Sequence, residues 1–523
     1  MTAPRARILW ADDEIDLLQS HLLYLEDKGY HIDGVTNGED AVSAVREGNY
    51  DLVLLDEMMP GKDGLTTLME IKEAEPGVPV IMITKNKEES LMEEAIGAKI
   101  ADYLTKPVNP SQILLACKKI LERAQISGEQ ASRKYVNEFN TIAGMVAARP
   151  GPAEWITIHT KLAQWEVEFD GLPDVGFKQT LKDQHNECNV EFGKFIEDRY
   201  PQWLHGPAAD RPPLSVDVVK DHLVPLLQQE KPVLFIVVDC MRLDQWLTIE
   251  QMLYPDYRVQ KSYYFSILPT ATPYSRNAIF SGLFPLEIQR EYPEIWSRAV
   301  DDEGSMNRNE HTFLINQLHG YDLDVAGGSK YSKVLDAGQG RKVARDIKTL
   351  LDNRLITLVI NFVDLLAHQR SESDFLQEIV PDEAGYRTIV RAWFERSWLL
   401  QVLKQLRGSG YTIVITTDHG STLVEKPALV KADREASPNI RYKYGRNLNA
   451  DPKQAISIRE PAEYYLPARG INTTFLLAKE NYYFVYPTDY NKYRNKLNNT
   501  FQHGGVSLEE MVLPVITLEP RER

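Results

Sequence analysis

Six side chains of the types that bind divalent metal ions recur in the C-terminal part of the sequence: Asp239, Asp364, His368, Asp418, His419 and His503. Asp364 and His368 are four residues apart, which places both side chains on one face of a helix. The adjacent Asp418 and His419 can face one site only where the chain bends, which Gly420 permits. Mixed imidazole and carboxylate ligands suit Zn²⁺ or Mn²⁺ better than Mg²⁺. Together these residues predict a two-metal site for phosphoryl transfer.

A hydroxyl nucleophile for such a site lies in the segment PTATPYSRNAIFSGLFP. This segment predicts a strand-to-helix turn followed by a helix that ends near Gly282. A hydroxyl at a helix N-terminus beside a metal is well placed to lose its proton and attack phosphorus. On local grounds Thr270, Thr272 and Ser275 are all candidates. Arg276 could contact the phosphate, or it could form a salt bridge within its helix.

A second group of cations is a candidate for substrate binding. The segment RYKYGRN alternates Arg441, Lys443 and Arg446 with Tyr442 and Tyr444. Alternating cations and aromatic rings suit a phosphate with a base stacked nearby. The alternative is a strand with its cations in solvent and its tyrosines packed inside.

The N-terminal region carries a separate acidic cluster. Asp12 and Asp13 follow the first apolar segment, Asp56 ends the third, Thr84 the fourth and Lys106 the fifth. The carboxyl ends of parallel strands meet at one edge of a sheet, where chemistry gathers. A hard cation such as Mg²⁺ would offset the repulsion among the three acids. A phosphoryl group on Asp56 could then be bound by Thr84 and Lys106.

The positions of these residues require three domains. Residues 1–122 alternate strand and helix in five units, which predicts a doubly wound parallel sheet. Residues 123–207 predict a helical bundle that acts as a connector. Residues 208–523 return to an α/β pattern, with PVLFIVVD, ITLVINFVD and YTIVITTD as apolar strands that each end in aspartate.

Composition narrows the class of protein. The net charge of −16 and the pI near 5.3 argue against a general nucleic-acid coat protein, since phosphate binding favours basic surfaces. The three cysteines form no CxxC pair, and no apolar run is long enough to predict a membrane span. The N-terminus runs straight into a strand pattern, which leaves no room for a signal peptide. We therefore expect a cytoplasmic protein.

Residues 1–122 resemble the receiver domains of two-component response regulators, with DEMMPGKDG and ADYLTKP around Asp56 and Lys106. The resemblance implies that a sensor histidine kinase phosphorylates Asp56. It also implies that Asp13, Asp56 and the Met58 carbonyl bind Mg²⁺, with Asp12 acting through water. Tyr103 matches the switch aromatic position. Lys85 stands where receivers usually have a small residue.

The order of ligands in the C-terminal region resembles the alkaline phosphatase superfamily, closest to nucleotide pyrophosphatases/phosphodiesterases and the PglZ branch. The resemblance implies a nucleophile ten residues before Gly282, which is Thr272. It implies one zinc site formed by Asp239, Thr272, Asp418 and His419, and a second formed by Asp364, His368 and His503. A zinc-dependent phosphodiesterase acting on nucleotides or oligonucleotides is the expected activity.

The three-domain order resembles response regulators of the PorX type, which implies a role in type IX secretion. We also expect homodimers on phosphorylation, formed through the region from the fourth receiver helix to Tyr103. Two other functions stay open. One is a phosphomonoesterase or phosphomutase at the same metal pair. The other is a non-catalytic, metal-stabilised platform that binds a transcription factor.

Overall fold

The computed structural model describes residues 6–85, 100–121, 123–172, 177–298, 303–433, 436–468, 470, 472–488 and 490–521. The chain forms two compact units, Met1–Lys134 and Tyr135–Arg523. The boundary between them falls within one long helix, Arg123–Ala147. The two units are described separately below.

The first unit contains a five-stranded sheet in the order β2-β1-β3-β4-β5, with every pair parallel. Its strands are β1 Ala6–Ala11, β2 Tyr30–Val35, β3 Leu52–Asp56, β4 Val80–Thr84 and β5 Asp102–Thr105. Its described helices are α1 Gln19–Asp27, α2 Gly38–Glu47, α3 Gly64–Ala74 and α4 Pro110–Leu121. The doubly wound prediction is confirmed. The helix expected between β4 and β5 lies outside the described residues.

Strand register places the predicted acidic cluster at one edge of this sheet. Ala11 pairs with Leu55, so Asp12 and Asp56 leave neighbouring strands at the same level. Thr84 pairs with Thr105, so Lys106 emerges beside them. Apolar clusters cover both faces of the sheet, as expected when helices lie on both sides of a parallel sheet.

Three long helices follow: α5 Arg123–Ala147, α6 Pro152–Asp170 and α7 Phe177–His205. α6 begins directly after Gly151 with proline at its start, where a missing N–H costs nothing. An edge-on contact between Trp155 and Phe192, with ring centroids 5.3 Å apart, joins α6 to α7. Phe192 also stacks on Phe265 at 6.3 Å, so α7 packs directly against the C-terminal region. The predicted helical connector is confirmed.

Buried charged contacts also join α6 and α7 to the C-terminal region. On α7, the imidazole of His185 lies 3.0 Å from Glu509, and the amide of Asn189 donates to the same carboxylate. At the end of α6, Asp170 accepts from Arg387 at 2.6 Å. These two connector helices therefore form one folded body with the C-terminal region.

The C-terminal region is built on a six-stranded sheet in the order β7-β18-β10-β6-β9-β8. The four strands from β10 to β8 are parallel, whereas β18 and β7 run antiparallel to their neighbours. The strands of this sheet are β6 Val233–Val238, β7 Tyr257–Phe265, β8 Ser329–Val334, β9 Leu355–Ile360, β10 Thr412–Thr416 and β18 Val512–Pro520.

Short strands form three small sheets outside the main one: β11 Thr422–Val424, β12 Lys426–Leu429, β13 Tyr442–Gly445, β14 Ala455–Ile458, β15 Thr474–Ala478, β16 Tyr482–Val485 and β17 Thr500–Gln502. The helices are α8 Val218–His222, α9 Val224–Gln228, α10 Leu243–Ile249, α11 Thr272–Ser281, α12 Pro285–Glu291, α13 Pro293–Arg298, α14 Glu310–His319, α15 Ala337–Asp346, α16 Phe362–Glu372, α17 Asp374–Ile379, α18 Glu383–Glu395, α19 Trp398–Leu406, α20 Tyr490–Leu497 and α21 Leu508–Met511.

Two large apolar clusters cover the two faces of the main sheet. One cluster includes Val237 and Val359 together with Ile279 and Phe280 of α11, so α11 lies on that face. None of the described helices has the length and apolar character that a membrane span requires. Cys117, Cys188 and Cys240 are buried free thiols.

Candidate metal centres

The first predicted cluster lies at the carboxyl edge of the six-stranded sheet. Asp239 follows β6, and Asp418 and His419 come just after the neighbouring β10. All three are buried, and one ligand atom from each lies within 4.8 Å of the others. The Nδ1 of His419 faces the carbonyl of Gly420 at 3.0 Å, so it is Nδ1 that carries the proton. The Nε2 lone pair is therefore directed at the two carboxylates.

The bend that brings Asp418 and His419 to one site depends on the residue that follows them. A Cβ added to Gly420 would lie 1.9 Å from the carbonyl oxygen of Glu509. The backbone N–H of Gly420 donates to the carbonyl of Glu510 at 3.3 Å. Glycine is thus needed for close approach of the neighbouring chain.

Thr272 is the hydroxyl that reaches this cluster. It is the first residue of α11, and its Oγ1 lies 2.9 Å from His419 Nε2 and 3.3 Å from Asp239 Oδ1. The other two candidates have backbone partners: Thr270 donates to Gly505, and Ser275 donates to Ala271. The helix that follows Thr272 ends at Gly282, whose φ of 68° suits a left-handed C-cap.

The second cluster joins Asp364, His368 and His503. The Nε2 atoms of His368 and His503 lie 3.3 Å and 3.7 Å from Asp364 Oδ1. The sequence predicts that Asp364 ends a strand, and this prediction is wrong. β9 ends at Ile360, and Asp364 lies in the first turn of α16. Asp364 and His368 therefore lie four residues apart on one face of α16, as their spacing predicts.

The two clusters are neighbours. The rings of His419 and His503 stack with their centroids 4.2 Å apart, one from each cluster. Asp418 Oδ2 is buried and makes no hydrogen bond among the described residues. Buried carboxylate oxygens without donors are costly, and a cation would satisfy them. The residues present thus fit a pair of divalent ions with nitrogen and oxygen ligands.

A buried ion-pair network supports the first cluster. Arg276 donates to Asp239 and Glu310, each at 2.6 Å, and lies 3.7 Å from Asp418. Asn361 donates to Asp239 at 3.0 Å. Arg276 is a candidate phosphate contact in the sequence, but the Nε and Nη1 of its guanidinium are engaged by carboxylates. Its position points to charge balance at the metal ligands.

Burial and neighbouring charges shift the pKa values of the ligands. Burial, reinforced by the Asp239 charge, raises the pKa of Asp418 well above its ordinary value. Burial lowers the pKa of His419, and it lowers that of His503 to about 4. The pKa of Asp364 falls to about 2, because its imidazole neighbours outweigh the effect of burial. His419 and His503 are therefore neutral at pH 7, the form that binds metal.

The remaining candidate substrate cations have other partners or positions. Arg441 is buried and paired with Glu510, and the buried Lys443 donates to two backbone carbonyls. Arg446 is exposed on the turn after β13. The structure therefore gives no support to Arg441 and Lys443 as substrate contacts, because the Arg441 guanidinium and the Lys443 ammonium both bind groups of the protein.

The receiver cluster is also assembled. One ligand atom each from Asp12, Asp13 and Asp56 lies within 4.8 Å of the others. Lys106 Nζ lies 2.9 Å from both Asp12 and Asp56. Burial raises the pKa of Asp56, although the Lys106 ammonium opposes that shift. Thr84 donates to the carboxylate of Glu57, a partner that the sequence did not indicate.

Three other receiver residues lie near this cluster or on the surface. The side chain of Met58 is exposed two residues after Asp56, and Lys85 lines the same cleft as Asp13 and Met58. Tyr103 in β5 is exposed. The dimer surface expected beside Tyr103 includes residues outside the described ranges.

Glu310, Asn361 and Lys333 are the site residues that sequence reasoning missed. Glu310 and Asn361 carry no motif, and only the tertiary fold brings them to Arg276 and Asp239. Lys333 sits near the same carboxylates, whose charges act on its pKa.

Comparisons with known families agree with this arrangement. The BREX system PglZ alkaline phosphatase-like domain matches residues 218–518. The response regulator receiver domain matches 8–118, and the PorX response regulator linker domain matches 125–204. The receiver and alkaline phosphatase-like families generally use divalent metals, Mg²⁺ in the receiver.

Individual relatives match the receiver portion. The transcriptional regulatory protein ResD of Bacillus subtilis is 40% identical over 118 residues, which are 23% of this chain and 49% of ResD. SrrA of Staphylococcus aureus is 31% identical over 131 residues, 25% of this chain and 54% of SrrA. A CheY-like receiver from Methanospirillum hungatei is 27% identical, covering 23% of this chain and 94% of that one, with a TM-score of 0.22. The chain thus spans about half the length of these curated relatives.

The fold and sites define a two-component response regulator whose effector is an alkaline phosphatase-like domain. The PglZ match covers more than half of the chain, and the chain belongs to that family. With its receiver and linker domains, it is a response regulator of the PorX type. A receiver domain implies a histidine kinase as phosphodonor.

Proposed function

We propose that the effector is a zinc-dependent phosphodiesterase acting on nucleotides or oligonucleotides, with Thr272 as nucleophile. The observation that carries the proposal is the position of Thr272 Oγ1, 2.9 Å from His419 and 3.3 Å from Asp239. The alkaline phosphatase-like family suggests a phosphoric ester hydrolase at the coarser level. We propose in addition that the substrates are diesters, that the metal is zinc and that Thr272 is the nucleophile.

The chain contributes the nucleophile and its orientation. Thr272 Oγ1 forms a bond to phosphorus as the bond to the leaving alkoxide breaks in line with it. Water then cleaves the phosphothreonine ester and restores the hydroxyl. Bound divalent cations would supply positive charge for the attacking and leaving oxygens. The N-terminus of α11 directs backbone N–H groups and its positive dipole end at the same region.

Thr272→Val tests the proposal, with Ser275→Ala as matched control in the same helix. Diester turnover of bis-p-nitrophenyl phosphate with Zn²⁺ should fall by roughly a thousandfold or more in Thr272→Val. Ser275→Ala should keep its activity, since that hydroxyl binds only the carbonyl of Ala271. Equal loss in both variants would contradict the assignment of the nucleophile.

Two other functions are separable by the same assay. Preference for p-nitrophenyl phosphate over the diester would favour a monoesterase or phosphomutase at the same metals. No turnover of either ester, nor of dinucleotides, would favour a metal-stabilised platform that binds a transcription factor. The buried Asp418 Oδ2, without a hydrogen bond among the described residues, and the Thr272 hydroxyl directed at His419 and Asp239 favour catalysis over a relic site.

The receiver is proposed to regulate the effector through phosphorylation of Asp56, within a pathway that controls type IX secretion. Lys106 already binds Asp56, so a phosphoryl group there would draw its ammonium away from Asp12. We propose that this change favours homodimers. Sedimentation of the phosphorylated protein and of Asp56→Asn should then differ, and identical behaviour would refute dimerisation.

A further inference from the structure

One lysine of the effector has no role in the proposed reaction so far. Lys333 lies in β8, the edge strand, and pairs in register with Val359 of β9 and through it with Val237 of β6. Residues paired in register on neighbouring strands direct their side chains to the same face of a sheet. Val237 and Val359 pack against Ile279 and Phe280 of α11. Lys333 therefore lies on the face covered by α11, the helix that begins with Thr272.

The neighbour of Lys333 on that face links β8 to the metal ligands. Tyr331 is two residues earlier in β8, and its hydroxyl donates to Glu310. Glu310 in turn accepts from Arg276, which binds Asp239. At roughly 3.3 Å per strand residue, Lys333 lies about one pleat nearer the carboxyl edge than Tyr331. Its Cα is level with Val237, two residues before Asp239, and its long side chain can bridge the remaining pleat to the level at which Asp239 leaves β6.

The ammonium of Lys333 has no direct partner in the described part of the chain. Its side chain is half-buried, and within the ranges that the structure describes it makes no hydrogen bond or close ion pair. Burial lowers its pKa, while the charges of Glu310, Asp239 and Asp418 oppose that shift and Arg276 adds to it. A partly buried ammonium without a partner is unfavourable, and an anionic ligand would satisfy it.

We propose that Lys333 binds a non-bridging oxygen of the phosphoryl group held against Thr272. This inference rests on the proposed function and adds a substrate contact to it. Arg276, Arg441 and Lys443 are taken by protein partners, whereas the Lys333 ammonium keeps its donors for a ligand. As a compact point charge it suits a phosphate oxygen.

Phosphate binding tests the proposal without requiring turnover. Inorganic phosphate is titrated by calorimetry into the zinc-loaded full-length protein and into Lys333→Met, Lys333→Gln and Lys333→Arg. Loss of a hydrogen bond to a charged group should weaken binding about tenfold to a hundredfold in the two neutral variants. Lys333→Arg should restore much of it. Lys330→Met is the matched control, because Lys330 is an exposed lysine of the same strand.

The zinc content of each variant is measured and must match that of the wild type. The phosphate affinity of a neutral variant that keeps its zinc is then compared with that of the wild type. Equal phosphate affinity in that variant and the wild type would overturn the role of Lys333. So would the absence of phosphate binding to the zinc-loaded wild type. Lys333-dependent phosphate binding without diester turnover would refute the phosphodiesterase and leave the Lys333 site standing.

Discussion

Replacing Arg276 by methionine should destabilise the metal-free effector far more than the zinc-loaded one. The guanidinium is 1% exposed and contacts three acidic groups, Asp239 and Glu310 at 2.6 Å and Asp418 at 3.7 Å. Methionine fills a similar volume but leaves these carboxylates without a counter-charge. The variant therefore isolates the electrostatic contribution of Arg276 to folding.

The size of the effect follows from burial. Removing one partner from a buried ion pair costs about 3–5 kcal/mol, because the remaining charge is left unpaired away from water. In the presence of zinc, bound cations would balance Asp239 and Asp418, and only Glu310 would remain uncompensated. We expect the loss of stability with zinc to be roughly half of the loss without it.

Urea denaturation in EDTA and in excess Zn²⁺ measures the loss of stability without and with zinc. Circular dichroism monitors the transitions and separates the unfolding of the two units. The double variant Arg276→Met with Glu310→Gln serves as a control. It removes the orphaned Glu310 charge and should regain part of the lost stability. A loss below about 1 kcal/mol in EDTA, or the same loss with and without zinc, would refute this account.

Two further predictions concern a buried histidine and a glycine. The imidazole of His159 is buried and has no hydrogen-bond partner in the part of the chain that the structure describes, and burial lowers its pKa to about 3. As pH falls below 6.5, the unfolded chain therefore takes up a proton on His159 before the folded chain does, and the free energy of unfolding should drop by about 2 kcal/mol by pH 5. Urea titrations at pH 8 and pH 5 measure this drop, which should be smaller by that amount in His159→Met. Gly420→Ala should lose zinc, because the added Cβ would lie 1.9 Å from the Glu509 carbonyl. Metal analysis compares it with Gly144→Ala, whose new methyl group has no described atom within 4 Å. Equal metal content in the two variants would contradict the prediction.

Much of both sites could be predicted because their residues stand where strands end. Asp12 and Asp239 directly follow apolar strands and Asp56 is the last residue of one, so the parallel sheet rule placed them correctly. Asp364 was placed by helical spacing instead, since its strand ends earlier than the apolar pattern does. Local periodicity thus fixes which edge of the sheet a ligand occupies.

The electrostatic partners could not be predicted in this way. Glu310 and Arg276 meet only because α14 packs on α11, a contact that no local pattern encodes. Arg441 looked available for substrate, but its burial against Glu510 depends on a helix about seventy positions later in the chain. Charged residues read from sequence give no indication of whether water or another charge faces them.

The charged contacts between α6, α7 and the phosphatase-like domain limit how such regulators can exchange input modules during evolution. A recombination breakpoint after His205 would strip Arg387, Glu509 and Leu508 of their partners Asp170, His185 and Asn189. A breakpoint near Lys134, inside α5, would keep these three pairs together, because all six residues lie in Tyr135–Arg523. Inheritance of α6 and α7 with the phosphatase-like domain, rather than with the receiver, is the arrangement that this architecture favours.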